Sequence, residues 1–202
     1  MDEGYIKFRV HWQEDAPVDA PLLPELIRYR NLCCEHNWIG QYDNGIGFGN
    51  ISVRTPAKPL FLITGSATGG VRDLSAVHIS QVEKVDASSN QLWCRGPIVA
   101  SSESMSHAAI YEKLPWVQGV IHIHQLELWQ KALHAVPTTA ADAPYGSPEM
   151  VDSIIDLIET TDLAQQKVFV MEGHEEGLFA FGRNLQEAYE VLLATAERFL
   201  RA

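Results

Sequence analysis

Two histidines near the middle of the chain stand one residue apart, within the segment GVIHIH at residues 119–124. The segment is otherwise apolar, which is typical of a buried strand. Because alternate residues of a strand point to the same face, we expect His122 and His124 to project together while Ile121 and Ile123 pack on the other side. Two such imidazoles can chelate one metal ion, although an isolated pair of this kind more often only lines a polar pocket.

His174 is the candidate for a third ligand. A catalytic zinc site uses three protein ligands and keeps a fourth position open. His174 follows a short strand-like run and lies between Gly173 and Gly177, which permit a tight turn toward another strand. The pattern predicts one divalent ion per chain, with Zn²⁺ the expected metal. Structural roles are predicted for the other histidines, namely His11, His36, His78, His107 and His134.

Glu103 stands where strand and turn residues give way to a predicted helix. A carboxylate at that point can simply favour the helix N-terminus through the backbone dipole, and for a lone glutamate this is the simpler interpretation. Ser101 and Ser102 favour a second interpretation, in which this segment binds an anion. Two hydroxyls beside the free amides of a helix start form an anion pocket next to a candidate base.

Two further segments carry amides and short hydroxyls of the kind that hold phosphate. Gly49 and Asn50 end a glycine-rich turn, and Thr64 and Ser66 lie at the end of a predicted strand. Each segment could equally be only a turn or a strand end. Neither is specific by itself.

A sheet and several helices must position these residues. Short alternating or apolar runs predict strands at residues 51–54, 59–64, 82–87, 91–96, 119–124, 168–171 and 177–181. Helical periodicity predicts helices at residues 24–36, 104–114 and 126–135, a helix capped by Ser147 with Pro148 first, and a closing helix with Asn184 and Glu187 as a capping box. One layered α/β domain over residues 1–202 is the expected fold.

The amino-acid composition limits the classes of binding partner that we expect. The 202 residues are 46% hydrophobic and carry a formal charge of −11. An acidic surface repels nucleic-acid phosphates and anionic lipid, so neither is expected as a partner, whereas local amides can still hold a small phosphorylated molecule. Residues 1–15 lack the features of a signal peptide, so we expect a cytoplasmic protein whose three cysteines, Cys33, Cys34 and Cys94, are reduced.

Taken in order, several motifs resemble the class II aldolase/adducin family over most of the chain. They are GNISVR (49–54), FLIT (61–64), SSE (101–103) followed by H-x-x-I-Y (107–111), GVIHIH (119–124) and GHEEGLFAFG (173–182). The family includes fuculose-phosphate and rhamnulose-phosphate aldolases, ribulose-phosphate epimerases and methylthioribulose-phosphate dehydratase. The resemblance implies a single three-layer α/β/α domain with a central, largely antiparallel sheet.

The resemblance also implies roles for individual residues. His122, His124 and His174 would ligate the metal, and Glu103 would be the acid/base beside it. The phosphate-contacting positions of the family match Gly49, Asn50, Ser101 and Ser102. Thr64 and Ser66 match its third phosphate turn only loosely, because Gly65 and Ala67 replace a proline and a glycine. Gln125 and the two glutamates after His174 are further departures from the family pattern.

The implied activity is that of a metal-dependent aldolase, which cleaves a ketose phosphate or related small hydroxy-carbonyl compound through a metal-stabilised enediolate. A dehydratase of the same family remains an alternative, as does a non-catalytic interaction module like the adducin head. Epimerases of the family typically carry aspartate at the position of Glu103, so the glutamate here counts against an epimerase activity.

The resemblance further implies a cyclic homotetramer with each site at a subunit boundary, and Trp93, Trp116 and Trp129 are aromatic candidates for an interface. Aldolases of the family often extend past the closing helix into a tail whose tyrosine closes the neighbouring subunit's site. Here Ala202 directly follows the predicted closing helix. Tyr145 is the expected alternative to that tyrosine.

Overall fold

A central sheet organises the protein, whose structure is a computed structural model that describes residues 5–56 and 60–200. Eight strands form it in the order β1-β7-β6-β5-β4-β8-β10-β9, and β2 and β3 form a separate hairpin. Neighbouring strands of the described sheet run antiparallel except β1 and β7, which run parallel. The strands are β1 (Arg9–Glu14), β2 (Gly40–Gln41), β3 (Gly47–Phe48), β4 (Asn50–Arg54), β5 (Phe61–Thr64), β6 (Ile79–Asp86), β7 (Gln91–Gly96), β8 (Gly119–His124), β9 (Val168–Val170) and β10 (Gly177–Gly182).

Helices cover both faces of this sheet. They are α1 (Leu23–Glu35), α2 (Ser104–Lys113), α3 (Leu126–Ala132), α4 (Pro148–Thr160), α5 (Leu163–Gln166) and α6 (Leu185–Leu200). One apolar core joins α2, α4 and α5 to one face, and a second core joins α1, α3 and α6 to the other. The predicted three-layer α/β/α arrangement with a largely antiparallel sheet is therefore confirmed.

Strand β8 lies between β4 and β10 and is buried along its whole length. Ile121 and Ile123 pack into the core beneath α1, α3 and α6, as predicted. His122 and His124 lie on the opposite face, which α2 and α4 cover. Across the strands, His122 pairs with Asn50 of β4 and with Phe179 of β10.

The predicted helix caps form, one of them with a changed partner. Ser147 caps α4 by accepting from the Met150 N–H at 3.2 Å. The Asn184 side chain accepts from the Glu187 N–H at 2.7 Å. The Glu187 carboxylate accepts from the N–H of Arg183, not that of Asn184, so the return half of the predicted box is displaced by one residue.

Several predicted boundaries were wrong. The helix expected at residues 126–135 ends at Ala132, because the chain turns at His134, which has a φ of +59° and donates its N–H to Thr138. The strand expected at 82–87 begins earlier, at Ile79. The strand expected from residue 59 begins at Phe61, and Pro59 itself lies outside the described residues.

Two further findings concern membrane-spanning helices and the cysteines. In the described part of the chain, no helix combines the length and the apolar character needed to cross a membrane. Cys33, Cys34 and Cys94 are free thiols, as predicted.

Candidate metal centre and active site

The imidazoles of His122, His124 and His174 converge at the end of β8. Nε2 of His124 lies 3.1 Å from Nε2 of His122 and 3.0 Å from Nε2 of His174. Nitrogens that share a tetrahedral ion at about 2.0–2.1 Å lie about 3.3 Å apart. All three side chains are buried. The three nitrogens therefore fit a single divalent ion, and a shared cation would offset the repulsion between their lone pairs.

The protonation of two of these histidines suits a ligand. Burial first, and then the neighbouring histidines, lower the pKa of His122 well below its usual value. Burial and the proximity of His124 do the same for the pKa of His174. Neutral imidazole is the form that binds metals. These two side chains are thus held in the form that a metal requires.

Hydrogen bonds from the far side of two rings orient them. Nδ1 of His122 donates to the carbonyl oxygen of Leu178 at 3.1 Å, which leaves Nε2 as the free nitrogen. Nδ1 of His124 lies 2.9 Å from the hydroxyl of Tyr42, which donates to the Glu176 carboxylate at 2.6 Å. The interaction with His124, followed by that with Tyr42, keeps the pKa of Glu176 below its usual value. Partners of this type hold metal-binding histidines in one orientation.

The turn between β9 and β10 carries His174, and two glycines make the turn possible. A side chain at Gly173 would overlap the carbonyl oxygen of Ala143, and a Cβ at Gly177 would lie 2.6 Å from the His174 ring. The N–H of Gly177 donates back to the His174 carbonyl at 3.0 Å. The close approach expected from the glycine spacing is therefore present.

Glu103 occupies the N-cap position of α2, yet its side chain makes no capping hydrogen bond. Its carboxylate is buried, with Oε1 3.7 Å from Nε2 of His174 and Oε2 accepting from the Ser106 hydroxyl at 2.9 Å. Ser106 is a partner that sequence reasoning missed, although its spacing of three residues places it on the same face of the helix. The carboxylate points at the histidine cluster.

A small pocket next to Glu103 collects most of the predicted phosphate residues. We call it the glycine–serine pocket; it is lined by Gly47, Gly49, Asn50, Gly65, Ser66, Ala67, Thr68, Gly69, Ser101 and Ser102. Thr64 is absent from this lining, and its hydroxyl accepts from the N–H of Ile51 at 3.2 Å. Thr68 and Gly69 are members that sequence reasoning missed. Arg30 secures their segment by donating to both carbonyl oxygens, at 3.0 and 2.9 Å.

Tyr145 lies against the cluster within the same chain. Its ring centroid is 4.7 Å from that of His174, and Nζ of Lys7 lies 3.8 Å from the centre of the tyrosine ring. The Tyr145 hydroxyl accepts from the N–H of Tyr5 at 3.0 Å. A role for Tyr145 across a subunit boundary stays a prediction.

Gln125 and the remaining histidines have other partners. Gln125 caps α3 by accepting from the Leu128 N–H, which accounts for glutamine after the second histidine. His107 is buried under β4, where it contacts Asn50 and Ser52. The other histidines outside the cluster each contact a different side chain. His11 contacts Gln91, His36 contacts Tyr189, His78 contacts Ser75 and His134 contacts Glu172.

Comparison with known proteins gives one family and one fold. The family model described as "Class II Aldolase and Adducin N-terminal domain" matches residues 32–200. The fold is similar to L-fuculose-1-phosphate aldolase from Thermus thermophilus, with a TM-score of 0.64 and 22% identity over 89% of this chain and 91% of that chain. It is also similar to a sugar-phosphate aldolase from Thermotoga maritima, with a TM-score of 0.63 and 20% identity over 88% and 92% of the two chains. A third similar structure is the N-terminal class II aldolase domain of a conserved protein from Thermoplasma acidophilum, with a TM-score of 0.53 and 17% identity over 93% and 97%.

Proposed function

Because this chain belongs to the class II aldolase and adducin family, we propose that it is a divalent-metal-dependent lyase that cleaves a carbon–carbon bond in a ketose phosphate or related hydroxy-carbonyl compound. The observation that carries the proposal is the convergence of three imidazole nitrogens with the Glu103 carboxylate, whose Oε1 lies 3.7 Å from Nε2 of His174. One divalent ion per chain, with Zn²⁺ as the proposed metal, would be held by His122, His124 and His174.

The chemistry divides between the ion and the side chains. When bound, a divalent ion supplies Lewis-acid chemistry, which polarises a carbonyl group and stabilises negative charge on its oxygen. Glu103 moves the proton, since its carboxylate is buried beside the cluster and the Ser106 hydroxyl fixes its direction. Tyr145 packs against His174 and limits the access of water to this side of the site.

The glycine–serine pocket supports a phosphorylated substrate. Ser101 and Ser102 directly precede Glu103, and Asn50 pairs with His122 across the sheet, so the pocket adjoins the proposed metal. Backbone amides and hydroxyls of this kind hold phosphate without a cationic side chain. Two proteins of similar fold are named as aldolases of phosphorylated sugars. The proposed substrate therefore has a phosphate at one end and a hydroxy-ketone beside it.

A product assay tests the proposal. The purified, metal-analysed protein is incubated with a panel of ketose phosphates, and released aldehyde is measured by its reduction. We expect one substrate to give an aldehyde and a smaller ketone phosphate, and the Glu103→Gln chain to be the inactive control. A product that keeps every carbon but has lost water would identify a dehydratase. No turnover on any ketose by a fully metallated chain would contradict the proposal.

The proposal also covers the cellular location, the oligomeric state and the partners of the protein. We place the enzyme in the cytoplasm, as a homotetramer of the type that the family resemblance implies, with small molecules and not nucleic acid or membranes as its partners. The acidic charge of −11 supports this choice of partners, because it disfavours polyanions.

A further inference from the structure

A row of buried polar side chains joins α2 to β4 behind the glycine–serine pocket. The hydroxyl of Tyr111 lies 2.8 Å from Oγ of Ser52, which lies 2.6 Å from Nδ1 of His107. Nε2 of His107 lies 2.6 Å from Oδ1 of Asn50. All four residues are at least nine-tenths buried, so water does not compete for these bonds. The row ends at Asn50, which itself lines the pocket.

The direction of the hydrogen bonds is decided at the Tyr111 end. Among the residues that the structure describes, Ser52 is the one hydrogen-bond partner of the Tyr111 hydroxyl. Burial raises the pKa of Tyr111, so the phenol keeps its proton and needs an acceptor. If Ser52 instead donated to Tyr111, the buried phenol proton would have no acceptor, which would cost free energy. Tyr111 therefore donates to Ser52, and Ser52 donates onward to Nδ1 of His107.

The orientation of the Asn50 side chain, at the other end of the row, follows from the proton position on His107. Burial lowers the pKa of His107 to about 3, so its ring is neutral and carries one proton. Because Nδ1 accepts from Ser52, the proton lies on Nε2 and is donated to Oδ1 of Asn50. The amide nitrogen of Asn50 has no acceptor within residues 5–56 and 60–200. This NH₂ group is therefore the part of the Asn50 side chain that can bind a ligand in the glycine–serine pocket.

The orientation of this amide matters because a half-turn would exchange its nitrogen and oxygen. The oxygen would repel an anion, whereas the NH₂ group binds one. We propose that Tyr111, Ser52 and His107 are positioning residues that hold the NH₂ of Asn50 toward the glycine–serine pocket, so that the pocket accepts a phosphate group. This inference rests on the proposed function only for the identity of the anion.

The first test reads the proton position in the unaltered chain. Magic-angle-spinning ¹⁵N NMR of protein labelled at histidine distinguishes protonated from unprotonated ring nitrogens. The His107 signals are assigned by their loss in the His107→Gln chain. We expect a proton on Nε2 and none on Nδ1. A proton on Nδ1 would overturn the inference. The His107→Gln chain serves only to assign the signals, and unchanged signals of its other histidines show that it is folded.

The second test measures binding of inorganic phosphate by calorimetry to the metal-loaded wild type, His107→Phe and His107→Gln. Phenylalanine fills the space but donates nothing, so we expect its phosphate affinity to fall about tenfold, the scale of one lost hydrogen bond. Glutamine places an N–H near the position of Nε2, so we expect it to retain affinity within about threefold. Metal content is measured in all three chains, so that loss of the ion is not mistaken for loss of the pocket.

The outcomes separate this inference from the proposed reaction. Equal phosphate affinity in the wild type and His107→Phe would overturn the positioning role. A wild-type chain that cleaves a ketose but binds no phosphate would overturn the inference and leave the lyase proposal standing. Phosphate binding that depends on His107, in a chain that cleaves no ketose, would support the inference and contradict the lyase proposal.

Discussion

At the scale of residues, three groups of the proposed centre have a hydrogen bond that orients them and an atom left for chemistry. His122 is held by a backbone carbonyl, His124 by Tyr42 and Glu103 by Ser106. In each case the remaining nitrogen or oxygen points toward the cluster. Buried polar groups that are fully oriented in this way reorganise little when they bind an ion or move a proton.

The metal prediction concerns the histidine pair. We expect the His122→Ala/His124→Ala chain to lose most of its metal, because one imidazole cannot hold an ion that three share. Elemental analysis of the purified chain measures this, and His36→Ala, an exposed position, is the control. Full metal occupancy in the double variant would show that the ligands lie elsewhere.

A second prediction concerns Tyr42, which orients His124. Tyr42→Phe removes the hydroxyl between His124 and Glu176 but keeps the ring, which packs 4.5 Å from that of Phe48. We expect metal affinity to fall by about tenfold or more, the usual scale for such a partner. Competition with a chromogenic chelator measures it. Unchanged affinity would mean that the Tyr42 hydroxyl does not position His124.

The third prediction concerns proton transfer. Glu103→Gln keeps the shape and the bond from Ser106, so we expect metal content and folding to be retained while turnover falls about a hundredfold or more. Steady-state assays and elemental analysis measure the two quantities. Glu112→Gln, an exposed change on the same helix, should leave turnover unaltered. Loss of the metal in Glu103→Gln would instead make Glu103 a ligand.

At the scale of elements, one ion-pair cluster fastens the start of α6 to the end of α5. Glu187 accepts from Lys167 at 2.6 Å and from both the backbone N–H and the guanidinium of Arg183. These bonds, with that of Lys167 the largest, lower the pKa of Glu187 to about 2. Since α6 packs along β8 and β10, the cluster helps to hold the strand that carries His122 and His124.

The fourth prediction follows from that cluster. Because the folded-state pKa lies below the unfolded value of about 4.3, the stabilisation is full above that value and disappears as the pH falls toward 2. We expect Glu187→Gln to lower the free energy of unfolding by about 1 kcal/mol at pH 7, with the difference from wild type shrinking between about pH 4.5 and pH 2. Urea titrations at several pH values measure this. Glu190→Gln, exposed on the same helix, is the control, and a difference that does not change with pH would contradict the pKa argument.

At the scale of the whole molecule, exposed aromatic and aliphatic side chains remain on the surface of the single chain. Trp12 and Trp116 are 43% and 37% exposed. Of the tryptophans considered for an interface, Trp93, which stacks on His11, and Trp129, which donates to the carbonyl oxygen of Met171, are less exposed than Trp116, whose ring lies 6.1 Å from that of Phe181. Trp116 is therefore the better interface candidate of the three. A single domain over residues 1–202 stays a prediction.

The fifth prediction concerns assembly. We expect light scattering coupled to gel filtration to give a mass about four times that of one chain, as the proposed cyclic homotetramer requires, in which each heterologous interface is repeated around a closed ring. Trp116→Glu should lower that mass if Trp116 lies in the interface, since burying an unpaired charge is costly. Val77→Glu, at another exposed apolar position, is the comparison. A wild-type mass of one chain at micromolar concentration would contradict both the tetramer and a site shared between subunits.

The sequence by itself determined the features that depend on neighbours in the chain. The alternation of His122 and His124 with two isoleucines follows from strand geometry, and the caps at Ser147 and Asn184 follow from local backbone geometry. The glycines around His174 predicted a tight turn for the same reason. These features need only a few consecutive residues, so a single sequence carries them.

Only the tertiary structure decided the contacts between residues far apart in the chain. Tyr42 meets His124 from 82 residues away, and His107 meets Asn50 from 57 residues away. Thr64 was expected at the phosphate site but bonds to β4, because the strand pairing turns its hydroxyl toward Ile51. Strand β1 was not predicted, because its residues are exposed or only partly buried and the apolar alternation is limited to Val10 and Trp12. Such contacts depend on strand order and helix packing, which local spacing does not specify.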